Sequence, residues 1–107
     1  MLIAQVRKHA LALTGVNEAP HHHFSSFRVR SKIFVTVPPD GLHIHLFLAE
    51  EDREKALALY PQFLEKLLWG GKVVGLRITL PKATPKVVKN LVTAVWAHKS
   101  RPATARR

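Results

Sequence analysis

Apolar residues near the start of the chain recur at helical spacing. Leu2, Ile3, Val6, Ala10 and Leu13 fall on one helical face. Gly15 stands where a helix C-terminal cap is expected. After a polar stretch the period changes to two. Phe27 and Val29 alternate with Arg28 and Arg30, and Ile33, Val35 and Val37 alternate with Phe34 and Thr36. A tight turn at Arg30-Ser31 would join these strands as a hairpin. Pro38-Pro39-Asp40-Gly41 reads as another turn, in which Pro39 presets φ, Asp40 bonds its own backbone and Gly41 takes an unusual φ. Leu42, Ile44, Leu46 and Leu48 then line one face of a third strand, and His43, His45 and Phe47 line the other.

Glu50, Glu51 and Asp52 suit the positive end of a helix dipole. Ala56, Leu57 and Tyr60 give that helix an apolar stripe, and Pro61 stops it. Residues 62–69 fit either a helical turn or a fourth strand through Phe63, Leu64, Leu67 and Leu68. Trp69-Gly70-Gly71 breaks the chain. Val74, Leu76, Ile78 and Leu80 alternate with Gly75, Arg77 and Thr79, which predicts a strand. Thr84 is a suitable N-cap with Pro85 at the first helical position. Val87, Val88, Leu91, Val92, Val95 and Trp96 make the clearest helical face in the chain. The order αβββαβ(β)α predicts an α+β two-layer sandwich, an antiparallel sheet with helices packed on one face. Residues 1–100 are expected to form a single domain, and residues 101–107 a loose basic tail without apolar period.

Composition narrows the class. A chain of 107 residues, 47% hydrophobic and 22% charged, can hold a real core as one domain. It has no cysteine, which excludes disulfides, thiol catalysis and Cys-type zinc sites and fits a cytoplasmic location. Its apolar stretches are interrupted by Arg, Lys or His and fall short of the roughly 20 residues a membrane-spanning helix needs. Arg7, Lys8 and His9 sit inside the first apolar pattern, so Met1–Gly15 reads as an amphipathic helix and not as a signal peptide.

Charge changes the picture most. From Lys66 to Arg107 there are ten basic residues and no acidic one, whereas Met1 to Glu65 carries seven of each. The net charge of +10 therefore belongs to the C-terminal part, and such a one-sided field attracts polyanions. Lys72, Arg77, Lys82, Lys86, Lys89, Lys99 and Arg101 are the candidate phosphate contacts. A solvated face that keeps the protein soluble is the plain alternative. Base readout is not evident, because no helix combines Arg, Asn and Gln at a recognisable spacing. Aromatics interleaved with basic residues, as in single-strand binders, are scarce. Phe34 and Phe47 would stack on bases only if their strand faces were open, and the pattern places them under a helix.

The order of elements, with particular residues, resembles the MmcQ/YjbR family of small bacterial proteins. The matching segments are Ala10–Val16, Phe27–Val37, the acidic helix start Glu50-Glu51-Asp52, and the Trp69-Gly70-Gly71 break before a strand. The resemblance spans roughly residues 2–98. Members usually carry Gly-Trp where this chain has Gly75-Leu76, and a glycine where it has Ser31. The resemblance implies an αβββαββα sandwich of the sort also seen in secretion chaperones. It also implies DNA binding, a role attached to the family by analogy of fold. It supplies no catalytic residues.

Other chemistry is thin. His21-His22-His23 and His43-x-His45 hold five of the seven histidines, but three consecutive histidines cannot all face one ion and no Asp or Glu is expected beside them. No metal site and no cofactor is expected. Trp69-Gly70-Gly71-Lys72 lacks the spacing and following helix of a phosphate loop, and the carboxylates from Glu50 to Glu54 are explained by helix-start electrostatics. No enzyme is expected. The expected function is a non-enzymatic DNA-binding protein that contacts the phosphate backbone with low sequence specificity. The alternative is a protein-interaction or chaperone-like module, or a homodimer, using an exposed sheet face. The two differ in salt dependence.

Overall fold

The structure is a computed structural model that describes residues 1–101. Three α-helices, α1 (Ile3–Leu11), α2 (Glu50–Leu59) and α3 (Pro85–Lys99), accompany six strands. These are β1 (Val16–His21), β2 (Phe24–Val29), β3 (Lys32–Val37), β4 (His43–Leu46), β5 (Leu64–Trp69) and β6 (Lys72–Thr79). They form one sheet in the order β1-β2-β3-β4-β6-β5, antiparallel at every pairing. The expected α+β architecture is present, with one strand more at the front. Strand β1 falls in the stretch that reads as polar. It carries Asn17, Glu18 and Pro20, and it lies at the sheet edge, where the missing proline N–H leaves no ladder bond unmade.

The hairpins follow from their turn residues. Gly70 and Gly71 have φ of 56° and 82°, the left-handed pair of a type I′ turn, and Trp69 pairs with Lys72 across them. Of the stretch 62–69, Leu64–Trp69 is thus the strand β5, while Gln62 and Phe63 lie in the turn before it. Arg30 and Ser31 take the same left-handed conformation, with φ of 52° and 65°, between Val29 and Lys32. Asp40 accepts hydrogen bonds from the Leu42 and His43 amides at 2.7 and 3.2 Å, the self-bonding turn expected of it. Thr84 occupies the α3 N-cap position, but its side chain makes no capping bond, and Pro85 opens the helix.

The sheet has a covered and an open face. Phe27, Val35, Leu46 and Leu76 lie in one register row and are all completely buried. They join one hydrophobic cluster with Val6 and Ala10 of α1, Ala56 of α2, and Val88, Val92 and Val95 of α3. All three helices therefore cover the same face. The Trp96 indole N–H donates to the Thr14 carbonyl at 2.9 Å, and His9 Nε2 meets Thr93 Oγ1 at 2.8 Å, so α1 is tied to α3. A bulge in β3 interrupts the alternation read from the sequence. Arg28 pairs with Ile33 and Phe27 with Val35, and the intervening Phe34 is fully buried like its neighbour Val35.

Candidate functional site

The open face begins with a polar row. Ser26, Thr36, His45, Arg77 and Glu65 are successive register partners across β2, β3, β4, β6 and β5. Directly opposed residues point to the same side of a sheet, so these side chains share the uncovered face. Ser26, Thr36 and His45 are nevertheless buried. Thr36 Oγ1 and His45 Nδ1 are 3.3 Å apart. Desolvation pushes the His45 pKa below the ordinary histidine value, and the Arg77 and His43 charges push the same way against the opposing pull of Asp40.

Above this row lies a groove. A cavity of about 330 Å³ is bounded by His21, His22, Phe24, Thr36, His45 and Trp69. It adjoins a second of about 350 Å³, whose walls add Ile33, Phe47, Val74 and Lys99. His21 belongs to β1 and Trp69 to β5, the two edges of the sheet. In a flat six-stranded sheet those edges would stand about 24 Å apart. Their sharing of one cavity means that the sheet curls around its open face. The Phe24 and His45 rings meet edge-on at 5.8 Å, and Phe47 and Trp69 are tilted together at 5.7 Å. Gly75 makes room for this packing: a Cβ there would run into the Leu46 carbonyl and crowd the Phe47 ring.

The seven cations read from sequence do not gather into one patch. Lys82 and Lys86 flank the start of α3, and Lys99 and Arg101 lie at its other end. A helix of 15 residues separates these ends by about 22 Å. Lys89 lies on the outer surface, where it lines a depression with Lys8 and His9 of α1. Lys72 stands beside Trp69 across the β5–β6 turn, and Lys99 reaches the groove. Arg77 is not a free cation. Its Nε stands 3.9 Å from Glu65 Oε2, too far for a hydrogen bond, and is buried without a hydrogen-bond partner. Its Nη2 is 3.5 Å from His43 Nδ1.

The histidines have partners that the linear sequence hides. His43 Nδ1 lies 2.7 Å from Asp40 Oδ2, so a carboxylate does stand beside it, placed there by the turn. Among the described residues no group of three or more His, Cys, Asp or Glu is arranged to hold a metal. No described helix is long and apolar enough to cross a membrane. The sequence reading placed Phe47 under a helix. The structure places Phe34 there, turned inward by the β3 bulge, but Phe47 on the open groove, the face it shares with His45 by alternation. Phe24 and Trp69 were missed as site residues, since nothing in the order of residues shows that opposite sheet edges converge.

No protein-family model matches the chain, and no curated protein matches it. A solved structure does: the crystal structure of Deinococcus radiodurans protein DR2400, with the family-model domain DUF419. The likeness has a TM-score of 0.78 at 16% identity and covers 97% of this chain and 82% of that one. DUF419 is among the YjbR/MmcQ-like folds, and at this identity the likeness establishes that the chain has such a fold.

Proposed function

We propose that the protein binds nucleic acid through phosphate contacts, with little sequence preference and no catalysis. One observation carries the reading. Of the seven candidate cations, Lys72, Lys82, Lys86, Lys89, Lys99 and Arg101 have no carboxylate at ion-pair distance among the described residues. The acidic residues are spent elsewhere. Glu18 is held by Arg7, Asp40 by His43 and Glu65 by Arg77, and the other four sit on α2. The surface potential left over is positive, and unpaired lysines at a helix N-terminus such as Lys82 and Lys86 suit a phosphate. Membership of the MmcQ/YjbR family and a cytoplasmic setting belong to the same proposal. A salt titration of duplex DNA, single-stranded DNA, RNA and heparin tests it. The expected outcome is affinity that falls steeply and linearly in log–log form, weak at physiological salt, with Kd on the order of 10⁻⁴ to 10⁻⁶ M for non-specific contacts. No binding of any nucleic acid at low salt would end the reading.

A second reading, a protein-interaction surface, is favoured by one feature. Leu68 and Trp69 are 56% and 51% exposed on the edge strand β5. An apolar interface there would keep its affinity as salt rises, so the same titration separates the two.

A further inference from the structure

The open-face groove is built like a receptor for a flat, polar ring. Its walls are the aromatic side chains of Phe24 from β2, Phe47 just after β4 and Trp69 from β5. Its floor is the buried Thr36–His45 pair, which offers a hydroxyl and an imidazole to a hydrogen-bonding edge. His45 spends Nδ1 on Thr36, and Nε2 remains for a ligand. Trp69 is half exposed and leaves a free indole surface for stacking. No Asp or Glu lines either cavity. Two cations that have no carboxylate partner among the described residues adjoin it instead: Lys99 lines the groove, and Lys72 stands beside Trp69.

An aromatic wall beside a cation matches a nucleotide, whose base stacks while its phosphate meets the charge. A base held in a duplex is stacked on both faces and has no free ring to offer. We infer that the groove takes an unstacked base of single-stranded nucleic acid, held against Trp69 over the Thr36–His45 floor with its phosphates against Lys72 and Lys99. This rests on the phosphate-binding reading and narrows it to one substrate class. The lowered pKa of His45 fits, since a neutral imidazole with Nδ1 on Thr36 presents Nε2 to a base edge as donor or acceptor according to its tautomer.

The test compares three labelled strands of equal length at low salt: a base-bearing single strand, an abasic single strand with the same phosphates, and a duplex. Each is titrated with the full-length chain and with Trp69→Ala and Trp69→Phe variants. Trp69 lies outside the buried core, and a melting curve checks that each variant folds. The expected result is tightest binding to the base-bearing strand. Trp69→Ala should cost that strand about tenfold, as loss of a stacked base does, and leave the other two unchanged. Trp69→Phe should restore most of the loss. Equal binding of base-bearing and abasic strands, unmoved by Trp69→Ala, would overturn the inference while leaving phosphate binding intact. Absence of all three binding events would overturn both.

Discussion

His45 shows how a single residue couples this fold to pH. It is buried beneath the groove, and burial together with the Arg77 and His43 charges lowers its pKa from the ordinary 6.5. The folded chain thus binds the His45 proton less readily than the unfolded chain. Stability is complete above about pH 6.5 and falls as pH drops from there through the folded-state pKa, because protons favour the unfolded state in that window. Thermal melts from pH 7.5 to pH 5 should show this decline, and His45→Gln should flatten it relative to the parent. An unchanged slope in the variant would assign the decline to other groups. Glu18 acts in the same direction at lower pH. The hydrogen bond from Arg7 is the largest influence and, with that from Ser25, holds its carboxylate below the usual range against desolvation. Its contribution is lost only as pH falls below the ordinary glutamate value of about 4.5. Gly75 is a residue fixed by space. Its φ is unremarkable, but Leu46 backbone and the Phe47 ring occupy the volume of a side chain. Gly75→Ala should cost about 1–3 kcal/mol, the usual penalty for overpacking, read as a lower urea midpoint at constant slope.

At the scale of elements, the two-residue turns carry strain in unequal amounts. The β5–β6 turn uses Gly70-Gly71, which accept left-handed φ freely. The β2–β3 turn asks the same of Arg30 and Ser31, at roughly 1–2 kcal/mol per residue with a Cβ. Replacing Ser31 by Gly removes that cost but gives the unfolded chain more freedom, offsetting about half of it. Ser31→Gly should still raise the Tm by about 4 °C, the shift expected of about 1 kcal/mol in a domain this small. A Tm that falls would mean that the serine contributes a local bond worth more than its strain. The helices behave differently. α1, α2 and α3 lack side-chain hydrogen bonds at their N-caps, although the Leu2 amide is bonded by Gln5 at 2.7 Å. They are held chiefly by the apolar face each lays on the sheet.

For the whole molecule, the sign of the surface is the dominant fact. The charge of +10 is concentrated beyond Glu65, and among the described residues six of the seven candidate sites have no carboxylate partner. Each phosphate contact adds about 0.9 to the slope of log affinity against log salt on duplex DNA. The double variant Lys82→Ala, Lys86→Ala should therefore reduce that slope by roughly two, whatever the DNA sequence. Both side chains are exposed and bury no apolar surface, so the Tm should hold within a few degrees. A slope that stays fixed would move the binding surface to the far end of α3, at Lys72, Lys99 and Arg101. The expected basic tail falls largely on residues 102–107, outside the described residues.

Whatever depends on near neighbours in the chain is legible in the order of residues. Alternation predicted the strands β2, β3, β4 and β6, and helical spacing predicted α1 and α3, because period reports which face is buried. Asp40-Gly41 and Gly70-Gly71 announced their turns through the φ values they favour. The one-sided charge was legible because charge is additive along the chain. The strand β1 was not, since an edge strand buries little and its residues need not alternate. The groove was not legible either. Phe24, Phe47 and Trp69 stand far apart in sequence, where Phe47 reads as lying under a helix and Trp69 as part of a chain break. Only the curl of six strands carries β1 toward β5, and only the missing side chain of Gly75 leaves room for the Phe47 ring beside Trp69. Those are properties of strand twist and close packing across the sheet, which no local pattern of residues encodes.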